Sequence, residues 1–283
     1  MATSRSNPYF MHEETAIAFS GGRTSAFMLW HILDAHDGQL PEYVKVAFMN
    51  TGLEHEKTLE FVREVQQRWN VDMVWLEGPT EYPEGKKTPD TFRIVDFCSA
   101  SRNGEPLEAL IAARNHLPTV VMRWCTGELK IKLVRRYLEQ TFGWDEYQIT
   151  LGLRADEPWR VAKINQYYRK GVEQIAPMHA AGHDENDVLN FWKNQDFDLD
   201  LPGGDNTFGN CVGCFLKSVP KLKKICDAKP EHFDWWSRME EKYGMQFRPD
   251  RPSYKNLQVE FRVQGRLFDD SLVDDSIPCT CTD

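Results

Sequence analysis

Apolar and polar positions along this chain switch between two periods, and the switches lay out its elements. Thr15-Ala-Ile-Ala-Phe19 and Val44–Met49 are short apolar runs of the kind that forms strands buried on both faces. Met73–Leu76 and Tyr147–Leu151 read the same way. Between them, apolar residues recur at helical spacing: Phe27, Leu29, Trp30 and Leu33 within Ser25–Ala35, then Leu59, Phe61, Val62 and Val65 within Lys57–Trp69. Strands separated by helices of this length predict a parallel sheet with right-handed crossovers, an α/β fold with a doubly wound, mostly parallel sheet. Further along, Leu107–Arg114, Leu129–Gln140, Asp184–Lys193 (capped by Asp184), Lys221–Lys224 and Glu231–Tyr243 are predicted helices, and Val259–Val263 a strand. The stretches Glu77–Asp96 and Asp198–Thr207 carry the Pro, Gly and charge of loops.

The junction after the first strand carries the first chemical signal. Ser20-Gly21-Gly22-Arg23-Thr24-Ser25 stands between a buried strand and a helix start. Such a turn presents backbone N–H groups and the positive end of a helix to an anion. Two glycines let the backbone approach closely, and Ser20 and Ser25 add hydroxyls. The P-loop ending Gly-Lys-Ser/Thr is missing. Ligands of open α/β sheets bind outside the carboxyl ends of the strands. Asn50-Thr51-Gly52 falls at the next such end.

Charge and cysteine usage narrow the field. The 283 residues carry a formal net charge of −9, the wrong sign for a protein that lives on nucleic-acid backbone contacts alone. Two basic groups, Lys130, Lys132, Arg135 and Arg136, and Lys217, Lys221, Lys223 and Lys224, are either solvated helix faces or anion-binding surfaces. No apolar run reaches the roughly 18 residues of a membrane span. The absence of a signal-peptide pattern predicts a cytoplasmic chain. Seven cysteines, an odd number in clustered spacings, argue for metal or redox chemistry over a disulfide framework.

Cys211-Val-Gly-Cys214 places two thiols within one tight turn, a spacing that serves an iron–sulfur cluster, a zinc ion or a redox pair. Cys125, in Arg123-Trp-Cys-Thr-Gly-Glu-Leu-Lys130, is the candidate third ligand, at a helix start that favours thiolate. Cys226 is either a fourth ligand or core, and Cys98 reads as structural. Gly152-Leu-Arg154…Arg160 follows another predicted strand. Its two arginines either clamp an anion or form an ion-pair cluster with Glu157.

Four segments in order, Phe19-Ser-Gly-Gly-Arg-Thr-Ser25, Asn50-Thr-Gly-Leu-Glu54, Arg123-Trp-Cys-Thr…Lys130 and Gly152-Leu-Arg…Arg160, resemble the phosphoadenosine phosphosulfate (PAPS) reductase-like family of PP-loop adenine-nucleotide α-hydrolases. The resemblance spans roughly residues 14–215. It implies a nucleotide-binding α/β domain over 14–200, a cysteine-bearing helical extension over 201–267 and an acidic tail over 268–283. It further implies that Ser20, Gly21, Gly22, Arg23, Thr24, Ser25, Asn50, Thr51, Gly52, Lys130 and Gly152 bind ATP (or PAPS), with Mg as a possible companion. The family's usual Lys-Asp is Arg23-Thr24 here, which keeps a cation and removes a carboxylate.

The cysteine pattern is similar to that of the family's DNA-phosphorothioation branch. That likeness implies a 4Fe-4S cluster on Cys125, Cys211 and Cys214, with Cys226, Cys279 or Cys281 as fourth ligand or an open iron. The activity implied is cleavage at the α-phosphate to adenylate an acceptor, followed by sulfur transfer, with Arg154 and Arg160 offsetting developing charge. A donor protein such as a cysteine desulfurase would supply sulfur, and nucleic acid is one possible acceptor. The alternatives are a sulfonucleotide reductase with Cys279 or Cys281 as tail nucleophile, and a nucleotide-binding regulator without turnover.

Overall fold

The computed structural model describes residues 7–164 and 171–263. Its sheet has six strands: β1 (Thr15–Phe19), β2 (Val44–Asn50), β3 (Met73–Glu77), β4 (Arg93–Val95), β5 (Tyr147–Thr150) and β6 (Val172–Ile175). Their order is β4-β3-β2-β1-β5-β6, parallel throughout except for the β3–β4 edge. This is the doubly wound, mostly parallel sheet expected. Its order reverses at β1, which pairs Phe19 with Phe48 of β2 on one side and Ile17 with Thr150 of β5 on the other.

Strand alternation decides which helix covers which face. Ile17, Phe19, Val46, Phe48 and Trp75 pack with Phe27 and Leu29 of α1 (Arg23–Ala35) and with Phe61 and Val62 of α2 (Glu56–Arg68). Ala16, Ala18, Ala47 and Met49 point the other way. They meet Leu133, Val134 and Leu138 of α5 (Lys132–Phe142). Small residues on that side let α5 lie close to the sheet. The remaining helices are α3 (Glu105–Arg114), α4 (Trp124–Thr126), which enters α5 through a π-helical turn over Gly127–Ile131, α6 (Pro158–Ile164), α7 (Pro177–Ala181) and α8 (Glu185–Lys193). Asp184 caps α8 in a reciprocal capping box with Asp187, as its position predicted.

The chain continues through α9 (Val219–Ala228), α10 (Asp234–Tyr243) and α11 (Tyr254–Val263). Phe233, Trp236, Phe247, Tyr254 and Phe261 join the same buried cluster as the α1–α2 face. The strand predicted over Val259–Val263 is instead the end of α11. Tyr254, Leu257 and Phe261 recur at helical spacing and are buried, while Val259 and Val263 are exposed. Among the described residues no helix is long and apolar enough to cross a membrane.

Tyr9 stacks on His31 with ring centroids 4.9 Å apart, and its Oη lies 2.7 Å from His183 Nδ1. Burial, and then the charge of His183, pushes His31 down to about 4. The unfolded chain therefore takes up the proton first as pH falls from about 6.5 towards 4, and stability is lost over that window. For a half-buried ring the screened loss is about 1–2 kcal/mol. Urea midpoints at pH 7 and 4.5 should show a shallower pH dependence for His31→Phe than for the wild type. Equal slopes would remove His31 from the account.

Candidate nucleotide and thiol site at the carboxyl edge of the sheet

The turn that follows β1 sits where the strand order reverses. Gly21 adopts φ +79°, and a Cβ there would come within 2.8 Å of Thr58 Cγ2 and 3.0 Å of Val62 Cγ2. Gly22 is the N-cap of α1 and no side chain caps the helix, nor does an acidic residue stand in its first turn. Among the described residues the helix start thus has no capping side chain or first-turn carboxylate of its own. Ser25, fully buried, holds the turn in shape: its Oγ donates to Gly22 O at 3.0 Å and accepts from Ser20 N at 3.2 Å. The Ser20 and Ser25 hydroxyls lie 2.8 Å apart.

Arg23 is held by the protein on all three guanidinium nitrogens. Its Nε and Nη2 grip Asp198 at 2.7 and 2.8 Å, and Nη1 and Nη2 donate to Gly204 O and Leu199 O. The guanidinium therefore holds the 198–204 loop against the turn. Trp192 Nε1, donating to Arg23 O at 3.0 Å, braces the same corner.

The loop after β2 is fixed by two buried carboxylates. Glu77, at the end of β3, accepts from Asn50 Nδ2 at 2.6 Å, Ser101 N at 2.6 Å and Ser101 Oγ at 2.8 Å. Glu54 accepts from Thr51 N at 2.9 Å and from Thr51 Oγ1 at 2.8 Å. The side chains of Asn50 and Thr51 are thus engaged in shaping this loop. Gly52, at φ +83°, passes Gly104 so closely that a Cβ would lie 3.1 Å from its backbone. His55 caps α2, its Nδ1 accepting from Lys57 N at 3.1 Å. Burial, with Lys229 next, pushes His55 down, in keeping with an unprotonated accepting nitrogen.

That loop also seats the cysteine turn. Glu54 and Cys211 form an antiparallel bridge, and Val212 N donates to Leu53 O at 2.8 Å. Cys214 N closes the turn on Cys211 O at 3.2 Å, with Gly213 at φ +74° and Trp236 Nε1 donating to Val212 O. Thr51 Oγ1 lies 3.2 Å from Cys211 Sγ. Burial pushes the Cys211 thiol well up, and the Glu54 carboxylate adds to that; Lys130 opposes it. Lys130 therefore lies within electrostatic reach of Cys211.

A cluster or zinc ion asks for three or four ligands. The Cys211–Cys214 turn fits two. Among the described residues no group of three His, Cys, Asp or Glu side chains is placed to hold a metal. Of the expected ligands Cys125, Cys211 and Cys214, with Cys226, Cys279, Cys281 or an open iron as the fourth position, Cys211 and Cys214 share one turn. Cys226 is buried on α9 in the apolar core, and Cys125 stands half-buried in α4. Cys279 and Cys281 lie outside the described residues.

Gly152 is buried just past β5, at the same edge. Arg154 Nε and Nη2 close on Asp156 at 3.0 and 3.2 Å, and Arg160 Nη1 closes on Glu157 at 2.7 Å. These contacts are the ion-pair cluster that the spacing also allowed. Sequence reasoning missed Glu77, Asp198 and the bracing role of Glu54. The side-chain partners of Glu77 and Asp198 lie 16 to 175 positions away, and no local motif marks those two; Glu54 closes the segment Asn50–Glu54, but the Cys211 turn it seats is distant in sequence.

Fold and site define a doubly wound α/β protein with an uncapped helix start at its switch point and a cysteine turn on the neighbouring loop. The chain belongs to the family of the uncharacterized nin region protein ORF290 of Escherichia phage lambda, with 31% identity over 212 residues, 74% of this chain and 68% of that one. It is also 22% identical over 238 residues to the uncharacterized protein MJ0066 of Methanocaldococcus jannaschii, covering 81% of this chain and 42% of that longer one. No family model matches the chain. Among solved structures, the U34-tRNA thiolase NcsA from Methanococcus maripaludis with its [4Fe-4S] cluster aligns over 96% of this chain and 80% of its own, at 14% identity and a TM-score of 0.41.

Proposed function

We propose that this chain is a PP-loop enzyme that binds ATP and adenylates an acceptor for sulfur transfer. The observation that carries it is the uncapped α1 start at the sheet's switch point, with Gly21 in a conformation and a space that admit only glycine. In this reading the backbone N–H groups of Gly22 to Ser25 cradle the phosphates. Arg23 keeps the 198–204 loop in place beside them. An acceptor oxygen attacks the α-phosphorus, the bond to the β-phosphate breaks and pyrophosphate leaves.

The Cys211–Cys214 turn supplies thiols at the same edge. A persulfide on one cysteine, loaded by a sulfur-donor protein, attacks the adenylated carbon and expels AMP. The second thiol then attacks the mixed disulfide and releases the sulfur on the acceptor. This leaves a Cys211–Cys214 disulfide for an external dithiol to reduce. An iron–sulfur group, when bound, would supply sulfur or electrons here. Cys211 and Cys214 fit two of its ligand positions.

Calorimetric titration of the full chain with ATP and with PAPS tests the reading. ATP is expected to bind and to release pyrophosphate with an acceptor present. Ser25→Ala, which removes the hydroxyl that shapes the turn, should weaken ATP at least about tenfold, the equivalent of one lost hydrogen bond to a charged ligand. No ATP binding at millimolar concentration, or conversion of PAPS to sulfite without ATP, would overturn it.

A further inference from the structure

The corner where α3, the π-turn and α5 meet carries surplus positive charge and unmet donors. Three cations close on the single buried carboxylate of Glu128: Lys132 Nζ at 2.9 Å, Arg114 Nη2 at 3.0 Å and Arg136 Nη2 at 3.3 Å. Glu128 is only 4% exposed and Arg136 only 11%. The other charges facing the corner do not restore balance. Asp90, which acts on Arg136 and Tyr82, is exposed and ion-paired with Lys86, and Arg135 is paired with Glu139.

Three donors here are buried with no hydrogen-bond partner among the described residues: Arg114 Nε, Arg136 Nη1 and Tyr82 Oη. Tyr82 comes from the exposed connection between β3 and β4, and its hydroxyl lies within electrostatic reach of Glu128, Arg136 and Arg114. Trp124 lies under the Arg114 guanidinium, 5.0 Å from ring centroid to Cζ, and keeps it in plane. Glu128 itself stands in the π-turn, a helix distortion that recurs at functional sites.

We propose that this corner is a second anion site, separate from the phosphate turn, that takes a doubly charged oxyanion such as a phosphate or sulfate group. Such a group offers several acceptor oxygens to two guanidinium forks and a phenol at once, and its charge offsets the surplus around Glu128. Arg114 and Arg136 hold it through the edges they do not spend on Glu128. Tyr82 closes over it from the β3–β4 connection. Glu128 orients both forks and limits the site to ligands that carry two charges.

The test is a titration of the full chain followed on the arginine Nε–H signals in ¹⁵N NMR, with Arg114 and Arg136 assigned through Arg114→Lys and Arg136→Lys. Inorganic phosphate and sulfate should shift both signals saturably, and chloride at equal ionic strength should not. Arg136→Gln should weaken phosphate at least tenfold as read on the Arg114 signal, and Tyr82→Phe severalfold. Saturation by inorganic phosphate but not by glycerol phosphate identifies a free-ion site. Saturation by both identifies a site for a phosphate group on a larger molecule. The wild-type titration does not depend on any variant folding. Absence of a saturable shift, or an equal shift in chloride, would overturn the site and leave a closed ion-pair network. The Gly21→Ala chain should give the same titration, which separates this site from the phosphate turn.

Discussion

Gly21→Ala is expected to abolish ATP binding, with an affinity loss of at least about 100-fold, while the chain still folds. Two independent effects act at this position. At φ +79° an L side chain sits in the left-handed region, which costs about 1–2 kcal/mol. The added Cβ also meets Thr58 Cγ2 at 2.8 Å, Val62 Cγ2 at 3.0 Å and Phe48 Cε2 at 3.1 Å, and overpacking of that kind costs about 1–3 kcal/mol. Phe48 and Val62 belong to the packed core, so the turn gives way first and carries the Gly22–Ser25 backbone with it.

Gly38→Ala provides the control. Its φ is +82°, yet nothing lies within 4 Å of where the Cβ would go, and it stands beyond the far end of α1. It should lose about 1 kcal/mol of stability and keep ATP affinity. Calorimetry with ATP and urea unfolding of both variants read the two effects separately. Equal ATP affinity in Gly21→Ala and wild type would show that the turn does not hold the nucleotide.

The contrast between what local sequence revealed and what it hid follows from interaction range. The β1–turn–α1 unit was legible because an apolar run, two glycines and a helical period follow one another within about twenty residues, and each has its own local cause. The capping box at Asp184 was legible for the same reason. Val259–Val263 was misread because Val259, Phe261 and Val263 stand at alternate positions and mimic a strand, and the residues that set the helical period begin five positions earlier at Tyr254. Arg23 illustrates the opposite limit. Its type and place suggested a phosphate cation, but its acceptor, Asp198, lies 175 positions away and is brought in by α8 and the loop behind it. The cysteine turn was legible as a pair. That Leu53 and Glu54 seat it, and that Cys226 faces the core, became visible only in the packed structure.

Glu77 should be the side chain whose loss most weakens the site's scaffold. It is fully buried at the end of β3 and gathers three elements: Asn50 from the end of β2, Ser101 ahead of α3, and Arg93 from β4 at 3.3 Å. Glu77→Ala leaves one N–H of the Asn50 amide and the Ser101 N–H without acceptors, while the other Asn50 N–H keeps the Ser101 carbonyl at 2.9 Å. Each unmet buried donor costs about 1–3 kcal/mol, so the variant should lose about 3–5 kcal/mol in all. Glu77→Gln separates hydrogen bonding from charge. The remaining carbonyl oxygen still accepts from Asn50 Nδ2 and Ser101 N, and the Ser101 hydroxyl can turn to accept from the new amide. Only the link to Arg93 is lost, and Arg93 is 41% exposed, where an ion pair contributes about 0–1 kcal/mol. Glu77→Gln should therefore cost about 1 kcal/mol, a small fraction of the alanine loss. Because Asn50 and Ser101 set the backbone on which Thr51 and Glu54 hold the Cys211 turn, Glu77→Ala should also speed alkylation of Cys211, measured by mass spectrometry, and Glu77→Gln should not. Equal losses in the two variants would mean that the charge pair with Arg93, and not the buried hydrogen bonds, holds this edge of the sheet together.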